Sequence, residues 1–152
     1  MYIWKIDKLN EQLISGKLKE SDAFKYLMAY TIMFALASIQ YGNPNQYDTF
    51  GDVVSFFVCV IGLLYIYKCN GGQDGKNIIE RYLTIGLVVL VRFTALLLVP
   101  GFMIVFTLQE LYMGGVPEET DLISAIMTQV FLVIYILWVA KYIKFVADHT
   151  NA

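Results

Sequence analysis

Four long apolar blocks constrain this chain more than any other feature of its sequence. They cover 26–41 (YLMAYTIMFALASIQY), 53–67 (VVSFFVCVIGLLYIY), 83–108 (LTIGLVVLVRFTALLLVPGFMIVFTL) and 122–140 (LISAIMTQVFLVIYILWVA). A water-soluble core needs apolar stripes, not blocks of this length. A hydrocarbon layer about 30 Å thick does need them, at roughly 17–25 residues per helix. Composition agrees. Of 152 residues, 58% are hydrophobic and 16% charged, against about 45–50% and about 25% in soluble domains. Mean hydropathy is +0.59. These values exclude a disordered chain, a coiled coil and a small disulfide scaffold, and they argue against a soluble enzyme. The expected fold is an all-α membrane protein with four transmembrane helices.

The blocks place the spans near 24–41, 52–68, 83–108 and 122–140, within a transmembrane domain over 23–147. The fourth block fits a bilayer as it stands. The first two need flanking residues such as Phe24, Lys25 and Lys68, whose lysines can snorkel to the interface. The third is too long to run straight and upright, so tilt, a kink at Pro100-Gly101 or an interfacial first turn must absorb the excess.

Charge sets the expected topology. Ten of the eleven basic residues lie before the first span, between the second and third, or after the fourth; Arg92 is the exception. The other two loops, YGNPNQYDTFGD and QELYMGGVPEETD, carry no lysine or arginine. By the positive-inside rule both termini and the middle loop are cytoplasmic.

Residues 1–22 read as a separate cytoplasmic element. Ile3, Ile6, Leu9 and Leu13 recur every three to four positions among charged residues, and Gly16 stands where a helix would stop. A short amphipathic helix covering the end of the bundle fits, with Trp4 as an interfacial anchor. The mixed charges and the lack of a compact apolar core do not match a signal peptide.

Two polar residues inside the blocks are candidate functional or structural sites. Arg92 lies about 14 Å into the third block at 1.5 Å per residue. Either it faces protein or water at depth, as an anion-binding, permeation or pairing group, or it marks the inner membrane edge. Gln129 is its best-placed partner, because its carbonyl can accept from a guanidinium; ordinary packing between helices accounts for it as well. Pro100-Gly101 reads first as a kink and second as a hinge. The cytoplasmic loop Asn70, Gly71, Gly72, Asp74, Gly75 and Lys76 lacks the spacing of a phosphate-binding Walker loop. It reads as a turn, with positive φ at Gly71 and Gly72 and a capping box formed by Asn77 and Glu80 ahead of the third span. A weak anion site at that helix start is a lesser expectation.

The run Asn70-Gly71-Gly72, Asp74-Gly75-Lys76, Arg81, Val89, Arg92 and Pro100 resembles a pattern in small four-span inner-membrane proteins of Gram-negative bacteria. There a glycine-rich cytoplasmic turn leads into a third helix holding an arginine and then a proline. The match covers about thirty residues. It implies an inner-membrane location and brings no activity with it.

Catalytic groupings are missing from the sequence. Cys59 and Cys69 are ten residues apart, roughly 15 Å on a helix and beyond disulfide reach. His149 is the single histidine, which leaves too few ligands for zinc. No cofactor, metal, nucleic-acid partner or enzymatic activity is expected. The leading expectation is a multi-pass inner-membrane protein acting through protein contacts, as an accessory or immunity-type subunit. The alternative is an oligomeric, anion-favouring pore or transporter lined by the third helix. Lipid, and a protein partner or further copies of the chain, are the expected neighbours.

Overall fold

A computed structural model describes residues 4–16, 18, 22–23, 25–30, 45–113 and 122–150. Among these residues every regular element is helical. Most of the expected first span, 24–41, lies outside the described residues; 25–30 is helical.

Helix α1, Ile6–Ile14, buries Ile6, Leu9 and Leu13 and leaves Lys5, Asp7, Lys8 and Glu11 outside. It ends at Ser15, and Gly16 follows in the left-handed region at φ 62°. Helix α2, Gln46–Cys69, starts about six residues before the expected 52. Its start is fixed by a capping box rather than by hydropathy. Asn45 Oδ1 accepts from the Tyr47 and Asp48 amides at 2.8 and 3.1 Å, and the Asn45 amide donates to Asp48 Oδ2 at 2.9 Å.

Helix α3, Ile78–Phe93, continues through a π-helical stretch, Thr94–Leu98, into α4, Val99–Met113. The chain therefore runs helically past Pro100. A proline gives no N–H to the carbonyl four residues earlier and crowds it, and the wider π turn just ahead of Pro100 relieves that conflict. Helix α5, Leu122–Thr150, is the central element, packed against α1, α2 and α3.

Close approach to α5 depends on glycines. A Cβ at Gly62 would fall 2.6 Å from Ile136 Cδ1, and one at Gly101 2.6 Å from Phe131 Cζ. The core is richest where α1, α3 and α5 meet, around Leu9, Ile85, Val88, Val139 and Ile143. Phe93 sets its ring edge-on against Phe131, Tyr135 and Trp138, at centroid distances of 5.9, 6.0 and 6.4 Å.

Three stretches are long and apolar enough to cross a membrane: Gln46–Cys69, Ile78–Tyr112 and Leu122–Thr150. Only 11%, 17% and 17% of their most apolar windows are buried within the protein. That leaves outer surfaces of Phe56, Phe57, Ile61, Leu64 and Met103 for a nonaqueous environment.

Candidate functional site at the basic end of the bundle

The loop joining α2 to α3 closes around a buried guanidinium. Asn70 ends α2 and is 1% exposed; Arg81, one turn into α3, is 2% exposed. Arg81 Nη1 donates to Asn70 Oδ1 at 2.9 Å, and Arg81 Nη2 donates to Thr150 Oγ1 at 2.7 Å. Asn70 Nδ2 in turn donates to the Lys76 carbonyl at 3.2 Å, and the Thr150 hydroxyl donates to the Val146 carbonyl. One side chain thus ties together the end of α2, the loop, the first turn of α3 and the last turn of α5. The planar fork of arginine suits this, since two of its nitrogens point at acceptors on different elements.

The loop backbone serves the same closure. Gly71 and Gly72 take φ of 102° and 60°, as the sequence leads one to expect of a turn. A Cβ at Gly75 would run into the Asn70 carbonyl and side-chain amide, so glycine is needed there for the loop to fold over Asn70. Asp74 and Lys76 point outward.

The expected capping box at Asn77 and Glu80 does not form. Asn77 sits in the left-handed region, φ 54° and ψ 34°, and its side chain makes no capping bond. An N-cap side chain reaches the N2 or N3 amide from extended backbone, which this conformation denies it. Asparagine tolerates left-handed backbone well, and here it serves the turn instead of the cap.

Arg92 and Gln129 are not brought together. Arg92 Nη2 donates to the Trp4 carbonyl at the start of α1. Gln129 belongs to the α2–α5 contact: it donates through Nε2 to the Gly51 carbonyl at 3.1 Å and accepts from Ser55 Oγ at 3.1 Å. Pro100 and Gly101 follow the π turn, and Gly101 lies beneath the Phe131 ring.

Arg81 is the residue that sequence reasoning passed over as one more cytoplasmic charge. No local pattern marks it: α3 is buried on all sides from Thr84 to Val89, so spacing does not single out Arg81.

Among the described residues no cluster of histidine, cysteine and carboxylate groups could hold a metal ion. Fold and site together define a helical protein with three helices long and apolar enough to cross a membrane, its basic end closed by a buried arginine. No known family model, curated protein or solved structure matches the chain.

Proposed function

We propose that this chain is a multi-pass inner-membrane protein that acts by presenting a surface to a protein partner, as an accessory or immunity-type subunit. The observation that carries the reading is the arrangement of α1. Its apolar side is locked onto α3 and α5, its start is held by Arg92, and its charged side (Lys5, Asp7, Lys8, Glu11) is turned outward. A helix used only to cover apolar surface needs its apolar stripe; a fixed, mixed-charge outer face also offers register and specificity to a partner.

The proposed topology has four spans, with residues 24–41 forming the first, both termini cytoplasmic, and α1 on the cytoplasmic side. The basic asymmetry, ten residues against none in the two outer loops, supports it. The test is site-specific photo-crosslinking in living cells from Lys8 and Glu11, with Ile61 on an apolar outer face as the control. One recurrent protein adduct from both α1 positions, absent from Ile61, is the expected result. Adducts from none of the three positions would end the reading.

A further inference from the structure

The seam between α2 and α5 carries two adjoining grooves that the Arg81 cluster does not use. One, about 550 Å³, is lined by Tyr65, Lys68, Gly71, Lys144 and Asp148 among others. The second, about 220 Å³, is formed by Val58, Ile61, Gly62, Val133, Ile136 and Leu137, with an apolar lining. Tyr65 lines both, so the two grooves are neighbours along the seam. Along α2 the seam passes from apolar to basic within about three turns, from Val58 to Lys68.

Three charged side chains line the polar groove: the Lys68 and Lys144 ammonium groups and the Asp148 carboxylate. Lys68, Lys144 and Asp148 form no ion pair among the described residues. Two positive charges and one negative leave the groove with a net charge of +1, which is complementary to one phosphodiester. A basic groove next to an apolar one on the same seam has the chemistry of a lipid headgroup and its chain.

We propose that this seam binds a phospholipid of net negative charge. Its phosphate sits between Lys68 and Lys144, and the upper part of one acyl chain runs in the groove beneath Tyr65. The inference rests on the membrane reading given above, which fails separately if the chain is recovered from cells in soluble form without detergent.

The test uses the purified full chain in a mild detergent, titrated with phosphatidylglycerol or phosphatidylcholine of identical chains and read by native mass spectrometry. Each lysine near an anionic headgroup contributes about fivefold in affinity, so two give about thirtyfold, reduced by Asp148. The expected result is a preference of about tenfold for phosphatidylglycerol. The pair Lys68→Gln and Lys144→Gln should bring it within about twofold. Lys141→Gln, an exposed lysine outside the groove, should leave it unchanged. Val133→Phe, narrowing the apolar groove from an exposed position, should weaken retention of phosphatidylglycerol while circular dichroism stays the same. Equal affinity for the two lipids would overturn the proposal, and so would a loss with Lys141→Gln as large as with the pair.

Discussion

A guanidinium that is 2% exposed and bonded to neutral oxygens is sensitive to the shape of its replacement. Hydrogen bonds to a charged group contribute about 1.5–3 kcal/mol each. Arg81→Lys keeps the charge but cannot reach Asn70 and Thr150 with two rigidly spaced donors, so one bond is lost. Arg81→Ala loses both and leaves Asn70 Oδ1 buried without that donor. Unfolding of detergent-solubilised protein should rank wild type above Arg81→Lys above Arg81→Ala, with a total loss of about 3–6 kcal/mol for the two bonds. Thr150→Val should cost about as much as Arg81→Lys, because it removes the same class of bond. Arg92 should behave differently. One of its bonds goes to the backbone carbonyl of Trp4, an acceptor that a lysine ammonium can also serve, so Arg92→Lys should change stability by less than about 0.5 kcal/mol. The contrast shows how little of the site could be read from the chain alone. Hydropathy flags a charge only where its neighbours in sequence are apolar, so it marks Arg92. Arg81 stands among Ile79, Glu80 and Tyr82, and its burial comes from residues 11 positions before it and 69 after it.

Single helices were more legible than their ends. The blocks at 53–67, 83–108 and 122–140 all fall inside long helices, because apolar length is a local property of the sequence. The start of α2 was not legible that way: an apolar window begins at Val53, whereas the Asn45–Asp48 box begins the helix at Gln46. Asn45→Ala should cost about 1 kcal/mol and fray the first turn, seen as faster hydrogen exchange of the Tyr47 and Asp48 amides. Asn77 shows the converse, since a capping pattern in the sequence carries no information about backbone φ. Contacts between helices give a sharper test. Gly62→Ala places a methyl against Ile136 Cδ1 and Cγ2, and overpacking of this kind costs about 1–3 kcal/mol. Ile136→Val removes Cδ1, the nearest of those atoms, and costs about 0.5–1.5 kcal/mol by itself. The double variant should therefore be more stable than the sum of the two losses implies, measurable as a non-zero coupling in a double-mutant cycle.

For the whole molecule, the proposed side and order rest on where the basic residues fall, and fusion reporters check that proposal directly. A reporter active only in the cytoplasm should score when fused after residue 152 or near Gly72, and should fail near Asn45 or Gly115. A cytoplasmic score near Gly115 would remove the last span. The π turn carries a further consequence, which is one of counting. Phe93 and Gly101 both meet Phe131, yet they are eight positions apart. Eight α-helical steps of about 100° would leave them about 80° out of phase. A π turn absorbs one residue, so the effective spacing is seven and the offset falls to about 20°. The third apolar block is therefore one residue longer than its packing requires, and the surplus is stored between Thr94 and Leu98. Indels in that stretch should be unequal in effect. Removing one residue keeps both halves in register with α5 but restores the conflict of Pro100 with the carbonyl four residues earlier; adding one exceeds what the bulge absorbs and swings the whole of Val99–Met113 off Phe131, so unfolding should show a loss for the deletion and a larger one for the insertion.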